Sequence, residues 1–321
     1  METISKLVTA IRLGDPRRHR GLTMVPLFVP APQDGPGFMT LDAALATGRF
    51  RIAEVSEAGT VPRLRASNAT GQPVFLLDGE ELVGAKQNRV LNLSLILPES
   101  WDGEIPVSCV EAGRWRRETS EFSGSGRAQF AEGRARKLRS VTASLEHRLD
   151  PLSDQGEVWD LIARKAARMR AESATAAMAE IFEKRSSELD EYIGALAPAA
   201  DECGALFLIG GRPAGMDLFD HPAPFSALGR KLIASYALDA IEHEQVEGTL
   251  DPPATANAFL TAMVNAGSTP FDVAGGGTTV RLHSRILAGA ALEWNGRCIH
   301  LAAFPAQHWN STTPRRRRFV L

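Results

Sequence analysis

Cysteine is scarce in this sequence of 321 residues: there are three, and each stands alone. Cys109, Cys203 and Cys298 lie far apart, and no CxxC spacing occurs. A disulfide framework or a zinc knuckle needs closely and regularly spaced cysteines, so the sequence argues against both. The pattern is typical of free thiols in a reducing compartment, and we expect the protein in the cytoplasm.

Long apolar runs and a dominant charge are also absent. The first residues, METISKLVTAIRLGDPRRHRG, are too interrupted for a secretory signal, and no window approaches the roughly 18 apolar residues of a membrane span. The 36 Lys and Arg nearly balance the 38 Asp and Glu. We therefore expect no membrane partner and no nucleic acid, apart from the basic tail Arg315 to Arg318, which is more typical of a solvated terminus than of a phosphate-binding patch.

The signature motifs of metal and nucleotide enzymes are missing as well. There is no HExxH, no GxSxG and no close histidine pair, so we predict no metal site. The run GGRPAG at 210–215 is neither a dinucleotide loop nor a P-loop, and an ordinary turn explains it. Asp217, Asp220 and His221 follow this turn and could hold a ribose or a metal, and Asp217 is kept as a ligand-binding candidate. No cofactor is implied.

The first part of the chain, residues 1–122, is β-rich. Short apolar and β-branched runs alternate with clusters of Gly, Pro, Asp and Asn, which predicts a sandwich or partial barrel. Between 88 and 97 every second residue from Leu91 onward is leucine, while Asn92 and Ser94 fall on the other face. This alternation predicts one strand with one buried face.

The middle, residues 123–265, is predicted to be mainly helical. A basic helix-favouring stretch covers 129–147, and Asp154 with Glu157 forms a capping box that opens the next helix. Residues 266–321 are predicted to form antiparallel strands in the segments FDVAGG, TTVRLHSRILAG and AALEWNGRCIHLAAF, the last with a tight hairpin at Asn295-Gly296. The fold class is therefore α+β, with residues 1–321 as a single domain.

A first polar cluster follows the buried run at 74–77, in the stretch LDGEELVGAKQNR. It supplies two carboxylates suited to acid–base catalysis and a polar run suited to holding a phosphorylated ligand: Glu80 and Glu81, then Lys86, Gln87, Asn88 and Arg89. A charged hairpin at a sheet edge is the open alternative. The neutral amides favour a site, because they contribute little to solubility and much to directional hydrogen bonding.

A second cluster lies in IPVSCVEAGRW, residues 105–115. Alternation puts Cys109 on the face of Ile105, where a cysteine is more often a buried apolar residue than a nucleophile. Glu111 is a catalytic candidate, and Arg114 and Trp115 could stack on a base or sugar. Pairing of Arg114 with Glu111 as plain structure is equally open.

These two segments together resemble the ARG and rhodanese-phosphatase-superfamily-associated protein domain family. The matching strings are DGEELVGAKQNRVLNLSLILP and IPVSCVEAGRW, and the later GALFLIGGRPAGMDLFDHP resembles the family's second characteristic segment. The family name refers to association with ADP-ribosylglycohydrolase-type and phosphatase-type proteins. The resemblance implies a nucleotide or ADP-ribose setting by association only.

We therefore expect binding, and hydrolysis if the protein is an enzyme, of a small phosphorylated ligand of the ADP-ribose or NAD-derived type. Glu80, Glu81 or Glu111 would be the acid–base group, and use of Cys109 as a nucleophile is a third hypothesis. The rival hypothesis is a non-enzymatic homo-oligomeric scaffold, in which the helical middle forms the subunit interface and the polar hairpin is a solvated edge.

Overall fold

The computed structural model describes residues 2–56, 59–243 and 251–306, and the arginine run Arg315 to Arg318 lies outside them. The helices are α1 (Glu2–Thr9), α2 (Leu41–Ala46), α3 (Ala131–Arg148), α4 (Gln155–Met169), α5 (Ala179–Lys184), α6 (Ser186–Ala195), α7 (Pro222–Glu242) and α8 (Pro252–Val264). None of these helices is long and apolar enough to cross a membrane.

The strands of the described residues come mostly in consecutive runs, before α3 and after α8. In the first part they are β1 (Arg12–Leu13), β2 (Arg17–His19), β3 (Leu22–Phe28), β4 (Met39–Thr40), β5 (Phe50–Glu54), β6 (Arg63–Asn68), β7 (Val74–Leu76), β8 (Glu80–Gly84), β9 (Arg89–Leu91), β10 (Leu95–Leu97), β11 (Asp102–Cys109) and β12 (Phe122–Ala128). The later strands are β13 (Gly204–Ile209), β14 (Arg212–Phe219), β15 (Gly267–Asp272), β16 (Thr278–His283), β17 (Leu287–Trp294) and β18 (Arg297–Pro305).

The largest sheet has the order β1-β3-β13-β14-β18-β17-β16-β15, with β2 also paired to β3. Its neighbouring strands run antiparallel, and successive side chains point to opposite faces. Leu206 and Leu208 pack in one apolar cluster with residues of α1 and α8, while Phe207 packs in another with residues of α7. Helices therefore cover both faces of this sheet.

The remaining strands form a half-barrel and a small sheet. The half-barrel has the order β12-β8-β9-β11-β6-β5, and the small sheet has the order β10-β7-β4. Leucines of both sheets share one core, which includes Leu76, Leu82, Leu91 and Leu95. The α+β class, with a β-rich first part that forms a partial barrel, is confirmed.

Several local predictions are confirmed. The Asp154 side chain accepts a hydrogen bond from the backbone N–H of Glu157 and opens α4, as predicted. The reciprocal half of the capping box is not formed, because the Asp154 N–H donates to Ser140 Oγ and Glu157 Oε1 pairs with Arg136. Asn295 and Gly296, with φ of 49° and 71°, join β17 to β18 in the tight turn that this dipeptide favours. The leucines from Leu91 to Leu97 pack in one core, as the alternation predicts, but Asn92 and Ser94 on the other side are buried as well, so the run has no exposed face.

Two strand predictions are wrong in extent. The run 88–97 is two strands in different sheets: β9 pairs with β11, β10 pairs with β7, and Ser94 between them bonds His300. The segment TTVRLHSRILAG is likewise two strands, β16 and β17, joined by a turn in which Ser284 caps Leu287. The large sheet takes β3 from the first part and pairs it with β13 from the middle. That the chain is a single domain stays a prediction.

Candidate ligand-binding site

Pairing of β8, β9 and β11 brings the two predicted polar clusters together. Leu82 lies opposite Arg89, and Arg89 lies opposite Cys109. Because residues opposite each other in a sheet share a face, the Arg89 and Cys109 side chains lie side by side. The turn between β8 and β9 needs positive φ values, 133° at Gly84 and 42° at Ala85.

Arg89 is the centre of this group and has no exposed surface. Its Nη1 donates to Gln87 Oε1 at 2.9 Å, and its Nη2 lies 4.0 Å from Glu54 Oε1. Within the described part of the chain, Nε and Nη2 have no hydrogen-bond partner. Burial lowers the pKa of Arg89. A buried guanidinium with one hydrogen bond and one distant carboxylate is incompletely paired.

Trp115 covers this guanidinium from the solvent side and is 49% exposed. Its ring centroid lies 5.8 Å from Arg89 Cζ and 5.2 Å from Lys86 Nζ. Both distances fall within reach of a cation–π contact. We name Lys86, Gln87, Arg89, Cys109 and Trp115 the Arg89 site. An aromatic ring open to solvent thus stands beside two cations.

Arg114 and Glu111 frame the site and do not open into it. Arg114 Nε donates to Glu111 Oε2 at 2.8 Å, Nη1 donates to the Ala85 carbonyl at 2.9 Å and Nη2 donates to Asn88 Oδ1 at 3.0 Å. Glu111 also accepts from Thr175 Oγ1 at 2.8 Å. Burial works to raise the pKa of Glu111, but these hydrogen bonds outweigh it and hold the pKa below its ordinary value. Arg114, Asn88 and Glu111 therefore position the hairpin.

Cys109 is a buried thiol at the inner wall of the site. Its Sγ donates to Gln87 Oε1 at 3.1 Å and accepts from the Glu111 N–H at 3.4 Å. Gln155 holds the backbone of Cys109 through both its amide oxygen and its amide nitrogen, each at 2.8 Å. Burial raises the pKa of the thiol above its ordinary value. These features are those of a protonated buried thiol.

Glu80 and Glu81 lie on opposite faces of β8 and have other partners. Glu80 is paired with Lys231, which also lies 2.6 Å from Asp42, and burial raises the pKa of Glu80. Glu81 lies 3.5 Å from Arg127 Nη1, and burial raises its pKa to about 7. Among the described contacts, no hydrogen bond or ion pair joins either carboxylate to the Arg89 site.

Asp217 belongs to a second buried group, at the seam between the half-barrel and the large sheet. Arg134 donates to both its oxygens at 3.0 and 2.6 Å, and the Tyr236 hydroxyl donates to it at 2.8 Å. Burial works to raise the pKa of Asp217, but Arg134 outweighs it and holds the pKa far below its ordinary value. We name this group the Asp217 cluster; it comprises Asp78, Ser94, Arg134, Lys137, Asp217, Tyr236, Arg281 and His300.

Sequence reasoning missed most of this cluster. Arg134 and Lys137 stand in a basic helix that also contains Ala131, Ala135 and Leu138 at helical spacing, and all five are buried. The one signal was that spacing, which places charged and apolar residues on one face of α3. His300 lies in a strand of buried residues without a neighbouring histidine or carboxylate in sequence to mark it.

The cluster contains a serine, histidine and aspartate in series. Ser94 Oγ lies 3.0 Å from His300 Nδ1, and His300 Nε2 lies 3.4 Å from Asp217 Oδ1. Nucleophilic catalysis needs a serine that a substrate can reach. Ser94 is buried, its Oγ accepts the Asp78 N–H at 2.9 Å, and the adjoining cavity measures about 10 Å³. The series is therefore structural: Ser94 is hydrogen-bonded to His300, and His300 Nε2 lies near Asp217 without a hydrogen bond to it.

No group of three or more His, Cys, Asp or Glu side chains in residues 2–56, 59–243 and 251–306 is arranged to hold a metal ion. Comparison with curated proteins and with solved structures gave no match. A family profile, by contrast, matches residues 10–304, nearly the whole chain. The protein belongs to the family described as the ARG and Rhodanese-Phosphatase-superfamily-associated Protein domain.

Proposed function

We propose that the Arg89 site binds a small phosphorylated ligand that carries an aromatic ring, of the ADP-ribose or NAD-derived nucleotide type. The observation that carries the proposal is the unpaired Nε and Nη2 of buried Arg89 beside the half-exposed ring of Trp115. A guanidinium is suited to phosphate because its planar donors match the phosphate oxygens. Because Arg89 has no exposed surface and the Trp115 ring lies over its guanidinium, Trp115 has to move aside before a ligand phosphate can supply the acceptors that Nε and Nη2 lack.

In this proposal the residues in and beside the site have different roles. Trp115 offers a solvent-facing ring for stacking, and Lys86 adds a second positive charge beside it. Gln87 fixes the Arg89 guanidinium through its 2.9 Å hydrogen bond and leaves the other edge of the guanidinium uncommitted. Asn88 and Arg114 hold the hairpin in shape through their mutual 3.0 Å hydrogen bond.

Titration calorimetry with ADP-ribose, NAD, AMP and inorganic phosphate tests the proposal. Base stacking on an aromatic side chain is worth about 1–3 kcal/mol, so Trp115→Ala should weaken nucleotide binding roughly 5- to 150-fold. Arg116→Gln is the matched control, because Arg116 lies in the same loop with an 82% exposed side chain. Lys86→Gln should weaken phosphate binding and reduce its dependence on salt.

Hydrolysis stays outside this proposal, because an acid–base group has to lie within hydrogen-bond reach of the reacting atoms. Burial brings the pKa of Glu81 to about 7, but Glu81 lies opposite Val90 and therefore on the other face of β8 from Leu82 and Arg89. Chromatography of ADP-ribose or NAD after incubation with the protein tests for hydrolysis, and the proposal predicts binding without product. If no nucleotide binds and light scattering shows a discrete oligomer, the scaffold hypothesis replaces this proposal.

A further inference from the structure

Trp115 lies in the segment that joins β11 to β12, and hydrogen bonds hold the backbone of this segment on both sides of it. On one side the Gly113 N–H donates to the Thr175 carbonyl at 2.7 Å. On the other side the Glu118 N–H donates to the carbonyl of Ala85, in the turn between β8 and β9, at 2.9 Å. The segment therefore loses these bonds if its backbone lifts from the half-barrel.

Arg114, the residue before Trp115, anchors the segment further. Its side chain is 7% exposed, and its guanidinium donates to the Glu111 carboxylate, to the Ala85 carbonyl and to Asn88 Oδ1. A buried arginine with these three acceptors is costly to displace, because each donor would be left without a partner. Movement at this point is therefore expected in the Trp115 side chain and not in its backbone.

The Trp115 ring is held much less firmly than its backbone. The residue is 49% exposed, and within the described residues it belongs to none of the three apolar clusters. The ring lies over Lys86 and Arg89 at cation–π distances. Such contacts are weak at an exposed site, and exposed side chains change rotamer rapidly. The ring can therefore rotate away from Arg89 while the segment stays in place.

The ring and a phosphate group compete for the same guanidinium. Arg89 has no exposed surface with the ring in place, and its Nε and Nη2 have no hydrogen-bond partner within the described residues. A phosphate reaches these donors only when the ring has rotated aside, and the contact between the ring and Arg89 is then lost. Opening the site therefore weakens the apparent affinity for every ligand that binds Arg89.

We propose, on the basis of the function proposed above, that Trp115 is a selectivity gate of the Arg89 site: it excludes inorganic phosphate and admits phosphorylated ligands that carry an aromatic ring. A bare phosphate displaces the Trp115 ring and offers it no new contact. A nucleotide offers its base as a stacking partner for the displaced ring. Specificity is a difference between two affinities, and the gate increases it by weakening the binding of the wrong ligand.

Calorimetric titration of inorganic phosphate and of AMP into wild type and Trp115→Ala, at constant ionic strength, tests the gate. A site that is open for a fraction of the time binds with an affinity reduced by that fraction. A cation–π contact of ordinary strength leaves the site open in roughly a third to a thirtieth of the molecules. We therefore expect Trp115→Ala to bind phosphate about 3- to 30-fold more tightly than the wild type, and to bind AMP more weakly.

Three further variants identify the cause of the change. Adding Arg89→Met to Trp115→Ala should abolish the gain in phosphate affinity, because the gate uncovers the Arg89 guanidinium. Trp115→Phe keeps an aromatic ring and should keep the preference for AMP over phosphate. Arg116→Gln changes the exposed neighbour of Trp115 and should bind both ligands as the wild type does.

The two ligands separate failure of the gate from failure of the proposed function. If AMP binds and is weakened in Trp115→Ala, while phosphate affinity is unchanged, lower or undetectable in both proteins, the gate is wrong and the proposed function stands. If neither ligand binds any of the proteins, both are wrong. A gain in phosphate affinity that survives Arg89→Met also overturns the gate.

Discussion

Arg89 and Arg134 are both completely buried, and their guanidinium groups are paired very differently. Both Nη atoms of Arg134 donate to Asp217, and its Nε lies 3.7 Å from Asp78. Arg89 has one hydrogen bond, to a neutral amide, and one carboxylate 4.0 Å away. A buried arginine stabilises the fold when a carboxylate of the protein compensates its charge. When no carboxylate does so, the arginine is a candidate for binding a ligand.

The carboxylates show the same contrast. Asp217 is held by Arg134 and Tyr236, and its pKa is far below the ordinary value. Glu81 has Arg127 at 3.5 Å as its ion-pair partner, and burial raises its pKa to about 7. Fully paired buried charges stabilise a fold, whereas incompletely paired ones are free to change protonation state or to meet a ligand.

The largest expected effect is the loss of stability when the buried ion pair between Arg134 and Asp217 is broken. Arg134→Met leaves Asp217 as a buried carboxylate without its guanidinium partner, and we expect a loss of about 3–5 kcal/mol in the free energy of unfolding. Urea denaturation measures it. Adding Asp217→Asn should recover part of the loss, because it removes the uncompensated charge.

The control for this prediction is an exposed pair. Arg230 lies 2.6 Å from Asp190, and both side chains are more than 60% exposed. Arg230→Met should change the stability by about 0–1 kcal/mol. Equal losses for Arg134→Met and Arg230→Met would remove the distinction between the buried and the exposed pair.

The titration of Glu81 should make the free energy of unfolding depend on pH. Its folded pKa of about 7 lies above its ordinary value of 4.5. The protonated folded state is therefore favoured, and its contribution to stability is full below pH 4.5 and is lost as the pH rises through 7. Each pKa unit corresponds to about 1.4 kcal/mol, so the contribution is on the order of 3 kcal/mol.

The measurement compares urea denaturation of the wild type and Glu81→Gln between pH 5 and pH 8. The variant cannot ionise at this position, so we expect its stability relative to the wild type to rise across this range. A difference that stays constant with pH would mean that Glu81 does not titrate there.

Replacing the incompletely paired arginine should have a smaller effect on stability. Arg89→Met removes one hydrogen bond to the Gln87 amide, and that amide oxygen still accepts from Cys109. We expect a change within about 1.5 kcal/mol, the usual worth of a single hydrogen bond. Urea denaturation of Arg89→Met and Arg134→Met compares their free energies of unfolding. If Arg89→Met loses as much stability as Arg134→Met, Arg89 is a structural residue.

The smallest expected effect is on the reactivity of the Cys109 thiol in the native protein. All three cysteines are buried, and burial raises the pKa of Cys109. Native protein should resist iodoacetamide at neutral pH, whereas unfolded protein should react at all three positions. Mass mapping of the labelled peptides is the readout. Rapid native labelling at Cys109 would favour the nucleophile hypothesis, and full activity of Cys109→Ser would argue against it.

The sequence predicted the elements whose signal is local. The capping residue Asp154, the Asn295-Gly296 turn and the burial of the alternating leucines each rely on neighbours within a few positions, and each is confirmed. The association of 85–89 with 107–115 followed from two polar patterns and a family resemblance. Pairing of β9 with β11 places them together.

What could not be predicted depends on contacts between distant segments. The Asp217 cluster joins a loop after β7, helix α3 and strands β14, β16 and β18, and no short-range pattern connects them. Glu80 and Glu81 read as one acid pair in sequence, but alternation in β8 sends them to different partners, Lys231 and Arg127. Arg114 and Glu111 are engaged with each other, which the sequence had left open.

The central claim is that Arg89 and Trp115 form a nucleotide-binding surface, and titration of ADP-ribose into wild type, Trp115→Ala and Arg116→Gln tests it most directly. Trp115 is 49% exposed, so its replacement should leave the fold intact. We predict saturable binding to the wild type and to Arg116→Gln, with binding at least about 5-fold weaker in Trp115→Ala. No binding to the wild type, or equal affinity in all three proteins, would contradict the claim.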